Sequence, residues 1–227
     1  MGNGADCDYH HIKLAGVNLR GGDFSHATFH HCDLSNADLR EGFFARDADF
    51  RNAKLDGARF TYSALVGARF DGASAVRADF SFSDPGGQPP ANVGGTATIS
   101  SFARADLTGA NLQGARLKYV DFSHAKLVAA LLQDQKIEVA DFLGADFSGA
   151  DMQRINMRDF DATGARFDGA NLFGSMFQHG YLRDATFLDA DIGGADFNDA
   201  VVLEGSMWEG ALVHTAHFPR SFRPAGR

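Results

Sequence analysis

The chain has 227 residues, 44% hydrophobic and 22% charged, with 21 basic and 29 acidic side chains and a formal net charge of −8. That balance opposes binding to nucleic acid and suits a soluble protein or one that meets basic surfaces. Two cysteines, Cys7 and Cys32, are too few for a disulfide framework, and the longest plain apolar run, Leu127 to Leu132, falls far short of a membrane span.

Residues 1–6 form a short lead, and the stretch MGNGADCDYHH has no signal-peptide apolar core. Asp6 stands where a myristoylation motif needs Ser or Thr, so a reduced, cytoplasmic protein with no membrane contact is expected. From Tyr9 a bulky apolar residue returns at every fifth position to Phe44, then from Phe50 to Phe80, then from Phe102 to Leu212. A helix needs a period near 3.6 and a strand a period of 2, so a period of five is a repeat. Two residues before each of these centres the chain mostly places Ala, with Gly, Ser or Cys in most other cases, and neither position ever carries a charge. All charge is thereby confined to three positions of five, which defines an inside and an outside.

Two irregularities test the rule. Phe160 occupies a small position and Ala162 the following centre, so bulk is exchanged while the total volume is kept. Gln135 occupies another small position, where its amide must bond to backbone inside the structure. The register slips by one at about Asp47, which reads as a corner bulge. A larger break, SDPGGQPPANVGGTATISS at 83–101, reads as a projecting loop. It is either a harmless insertion or a functional loop.

The tandem pattern in ADLTGANLQGARLKYVDFSHAKL, residues 105–127, resembles the pentapeptide-repeat family over about residues 7–213. The resemblance implies an all-β, right-handed quadrilateral β-helix whose coils have four five-residue sides. The repeats would make about 9.5 coils, roughly 45 Å long at strand spacing. On that square, Asp121, Asp141 and Asp161 stack on one side and Asp151 and Asp191 lie on another. Residues 139–212 carry 13 acidic and 4 basic side chains, an acidic rod in which like charges at coil spacing repel.

The topoisomerase-protecting branch of the family is described as mimicking DNA. The resemblance therefore implies a protein that binds DNA gyrase or topoisomerase IV and protects it from inhibitors, as antibiotic resistance or self-immunity. In that role the five aspartates stand in for phosphates, and Asp84, Gln88 and Asn92 of the loop contact the enzyme. The alternative is a protein–protein interaction scaffold with another partner, in which aspartate only keeps the surface soluble.

At the C-terminal end Tyr181, Leu188, Val201, Leu203, Trp208 and Val213 read as outward apolar residues. They form a homodimer interface or are covered by the tail 214–227, in which Pro219 and Pro224 oppose a helix. Dimerising relatives often carry a helix there, which this sequence lacks. His10–His11 and His30–His31 lie one coil apart near Cys7 and Cys32, a conceivable Zn or Ni site. The cysteines fall on different sides of the square, so outward polar histidines, no metal and no cofactor are expected. No catalytic motif is present, and a convex rod filled with Phe offers no substrate pocket, so no enzyme is expected.

Overall fold

The computed structural model describes residues 4–6, 8–87 and 99–224. Each five-residue unit runs straight through its small residue, the next residue and the centre, and then turns. The turn closes when the following small residue donates back to the centre's carbonyl, as Ala27 N–H does to Phe24 at 3.1 Å and Ala125 N–H to Phe122 at 2.9 Å. The residue just before the closing one has positive φ: His26 at 59°, Asn36 at 57° and Gly109 at 66°. Asn, Asp, His and Gly recur there because they tolerate the left-handed region best.

The residue before each centre pairs with its counterpart one coil on. The bridges Asp141↔Asp161, Asp146↔Arg166 and Asp151↔Asn171, with the register pair Asn156↔Met176, are parallel and start at successive five-residue steps. Four ladders result: the first runs from Asp8 to Val202, the second from Lys13 to Met207 and the third from Asn18 to Leu212, while the fourth runs from Asp23 to Asp84 and again from Lys136 to His217. Strands β1 (Ser100–Ser101) and β2 (Val120–Asp121) pair on the first ladder. Strands β3 (Lys136–Glu138), β4 (Asn156–Arg158) and β5 (Met176–Gln178) pair side by side on the fourth. No helix occurs among the described residues.

The centres fill the interior. Phe50 stacks between Phe29 and Phe70 at 4.9 Å each, within 4° of parallel, and meets Phe60 of the opposite side edge on at 6.0 Å and 87°. The stacking distance is the rung spacing of a ladder, so the backbone dictates how the rings meet. Burying each such ring contributes about 1.5–3 kcal/mol. Both irregularities behave as expected: Phe160 and Ala162 are buried, and the Gln135 amide donates to the Leu112 carbonyl. Ser175 uses the same device, its hydroxyl donating to the Met152 carbonyl at 2.8 Å. One coil above Phe160, a Cβ on Gly180 would collide with the Phe160 ring, so only glycine fits.

Three register assignments need correction. The first extra residue lies at the turn Arg40–Gly42 and not near Asp47, because Asp38 already pairs with Arg59 and Phe44 with Ala64. Phe43 is buried at 0% exposure, Ala45 is the centre, and Phe44 is 51% exposed, a second exchange of bulk that disguises the slip. A further bulge sits at Val201–Val202, where Val201 N–H donates to Gly180 and Leu182 N–H donates to Val202, so two residues oppose Tyr181. Beyond it the centres are Leu203, Trp208, Val213 and Phe218, not Val202, Met207 and Leu212. Trp208 is 3% exposed and stacks on Phe187 at 4.0 Å, whereas Met207 is 51% exposed. Asp196 pairs with His217 and Phe218 stacks on Phe197 at 5.3 Å, so the stack continues past residue 213 into the segment expected as a tail.

The third correction concerns the loop. Asp84 still pairs with Ala64, Pro85 is buried, and Gly87 N–H donates to Lys118 at 2.7 Å, while Ser101 rejoins opposite Arg69. Residues at both ends of the expected loop therefore belong to the stack, and the remainder, with Gln88 and Asn92, lies outside the described residues.

Candidate functional site

An aspartate ahead of a centre has a local task that the sequence reading missed. Its carboxylate accepts the N–H two residues on: Asp121 from Ser123 at 2.8 Å, Asp141 from Leu143 at 2.9 Å, Asp161 from Thr163 at 2.9 Å and Asp191 from Gly193 at 3.0 Å. The side chain thus secures the corner that follows it. The recurrence of Asp and Asn at that one position was the available signal.

Among the described residues, fewer than half of the 29 acidic groups face a cation within ion-pair distance. Asp49 meets Arg51 at 2.5 Å, Asp38 meets Arg40 at 2.8 Å and Arg59 at 3.0 Å, and Asp134 meets Arg154 at 2.6 Å. Hydrogen bonds from Lys136 and Lys118 hold the Glu138 carboxyl down at about 2. Asp121, Asp141 and Asp161 are among the rest. They are successive rungs of the first ladder, and no ion-pair partner faces them among the described residues. Burial pushes the Asp141 carboxyl up, the Leu143 N–H opposes this, the charges of Asp121 and Asp161 raise it further, and nearby His124 lowers it slightly.

The other expected site residues scatter. Asp151 and Asp191 lie on the third ladder with Asn171 between them, and Asp84 sits on the fourth ladder against Arg116 at 3.4 Å. Of the expected dimer residues, Tyr181 and Val201 are exposed and Leu188 is half-buried. Leu203 and Trp208 are buried and Val213 packs against the core, so these three face inward, contrary to expectation; the bulge at Val201–Val202 turns them in.

A groove of about 460 Å³ opens beside the acidic rungs, lined by Val139, Ala140, Asp141, Asp159, Phe160, Asp161, His179, Tyr181 and Val201. Here β3, β4 and β5 stay straight for three residues, and the chain bends at Val139, Asp159 and His179, whose φ values are 53°, 52° and 53°. Sequence reasoning missed this corner, although the exchange at Phe160 marked the place.

The histidines of the first coils cluster, with His10–His11, His30–His31 and His11–His31 ring centroids 4.0, 4.2 and 5.1 Å apart. His30 meets Asn52 at 3.1 Å. Among the described residues no group of three or more ligating side chains is arranged to hold a metal ion. Cys32 is buried against the Tyr9 carbonyl, and burial raises its thiol pKa, whereas Cys7 lies outside the described residues. No helix among the described residues is long and apolar enough to cross a membrane.

The family model for pentapeptide repeats matches in eight copies, over residues 10–44, 46–81, 100–134, 140–178 and 165–202. Among solved structures, this chain is similar to HetL, a pentapeptide repeat protein involved in heterocyst differentiation regulation from the cyanobacterium Nostoc sp. strain PCC 7120. The two share 22% identity over 97% of this chain and 92% of that one, with a TM-score of 0.52. QnrB1, a plasmid-mediated fluoroquinolone resistance protein, shares 17% identity over 96% of this chain and 90% of that one, with a TM-score of 0.48. No curated protein matches the sequence.

Proposed function

Because this chain belongs to the pentapeptide-repeat family, we propose that it is a non-enzymatic, DNA-mimicking rod. It binds a cytoplasmic type II topoisomerase, DNA gyrase or topoisomerase IV, and protects that enzyme from an inhibitor. The observation that carries the reading is the run of three unpaired carboxylates, Asp121, Asp141 and Asp161, on consecutive rungs. Rungs lie about 4.8 Å apart, and phosphates of one DNA strand follow at about 3.4 Å along its axis. A line of negative charge at that pitch suits a basic, DNA-binding surface. Asp151 and Asp191 would extend the charge around the rod.

The test is a gyrase supercoiling assay with a fluoroquinolone present. Addition of the protein restores supercoiling, and Asp141→Lys with Asp161→Lys weakens the effect at least tenfold. A protein that neither inhibits supercoiling nor relieves the poison overturns the proposal.

A second reading, an interaction scaffold for another protein, is favoured by the exposed, stacked rings of Tyr62 and Phe82 at 5.3 Å. Replacing both with Ser abolishes partner capture under that reading and leaves topoisomerase protection intact under the first. We also propose a homodimer through the C-terminal end, where Met207 and Leu212 are exposed. Light scattering on the wild type and on Met207→Glu tests it, and a wild-type monomer at all concentrations overturns it.

A further inference from the structure

The groove beside the acidic rungs has a composition of its own. Its exposed apolar lining is Val139, Tyr181 and Val201, over the buried Ala140 and Phe160. One wall carries the Asp141 and Asp161 carboxylates, adjacent rungs of the first ladder, and the next rung is the half-exposed ring of Tyr181. On the opposite lip Asp159 is already engaged, 3.0 Å from His179 and 3.6 Å from Arg158. The other nearby cations are also engaged: Lys136 with Glu138 at 2.7 Å, Arg154 with Asp134, and Arg183 with Glu204 at 2.9 Å. The groove thus combines exposed apolar side chains, an aromatic ring and two carboxylates that form no ion pair among the described residues.

We propose that this groove receives one arginine side chain from an extended segment of a partner protein. This rests on the first ladder being a protein-binding face and names the group that the face takes. The aliphatic stem lies along Val139 and Val201, as long cationic side chains lie on apolar surface. The guanidinium then reaches both Asp141 and Asp161, whose rungs are about 4.8 Å apart, and its plane stacks on Tyr181. A planar fork that spans two carboxylates and stacks on a ring is a property of arginine that the lysine ammonium lacks.

The probe is acetyl-Gly-Arg-Gly-amide, titrated against the full chain while the Val139 and Val201 methyl signals are followed by NMR. Saturable shifts at those methyls are expected, with affinity at least threefold above that of the lysine analogue. Asp141→Asn with Asp161→Asn, which keeps an acceptor for each corner N–H, lowers affinity at least fivefold, while Asp23→Asn with Asp33→Asn, which does the same on other ladders, leaves it unchanged. Absence of saturation, equal response to lysine, shifts spread over all four ladders, or unchanged affinity in the first variant overturns the proposal. Topoisomerase protection is assayed separately. Arginine binding without protection removes only the partner, and protection without arginine binding removes only the groove's role.

Discussion

Asp49 and Asp141 occupy the same ladder, hold the same backbone position and meet opposite surroundings. Burial would push the Asp49 carboxyl up, yet the Arg51 hydrogen bonds hold it below its ordinary range. Burial raises Asp141, and its flanking rungs are aspartates that raise it further. The coils fold alike around both. The difference teaches that interior volume and inter-coil hydrogen bonds hold the stack, which leaves the outward residues free to vary with function.

The comparison breaks most readily at the C-terminal coil. Trp208→Ala should cost about 3–5 kcal/mol, whereas the adjacent, exposed Met207→Ala should stay within about 0.5 kcal/mol. Urea melts of the two variants check this, and equal losses would place the centre at Met207 after all. Next in size is Gly180→Ala, whose methyl meets the Phe160 ring and should cost about 1–3 kcal/mol. Phe160→Leu in the same chain should recover part of that loss in a double-mutant cycle. Val139 is a β-branched residue at φ 53°, so Val139→Gly should gain about 1 kcal/mol, read as a raised melting temperature.

The smallest effect sharpens the comparison itself. The depressed Asp49 adds stability above its unfolded value of about 4, and that contribution is lost as pH falls through its folded value. The raised Asp141 has the opposite sign: its contribution is fully present below the unfolded value and is lost as pH rises through the folded one. Removing each group as Asn should therefore tilt the stability curve in opposite directions, below about pH 4 for Asp49 and above about pH 4 for Asp141. Carboxyl NMR titration checks the two directions, and parallel tilts would deny the contrast.

The period, the inside and the outside, and the stacking of Asp121, Asp141 and Asp161 were legible in the sequence, because the volume limit of a narrow interior acts on every unit. The register was not legible wherever two apolar residues adjoin. Phe43–Phe44, Val202–Leu203 and Met207–Trp208 each offer two candidates for one inward place, and counting by fives cannot choose between them. The groove was hidden for another reason. It depends on a corner whose strands run straight for one residue more, a property of backbone angles at Val139, Asp159 and His179 that residue type does not announce.

The bonds that join one coil to the next, such as Phe29 N–H to Asp49 and Phe142 N–H to Asp161, all connect layer to layer. Tension applied between the first and last layers therefore loads them one layer at a time, like a zipper, and never all at once. Each turn that peels away frees some twenty residues, about 65–70 Å of slack. Drawn out by an optical trap, this molecule should lengthen in a regular staircase at low force, with the tallest step where Trp208 must leave its stack on Phe187.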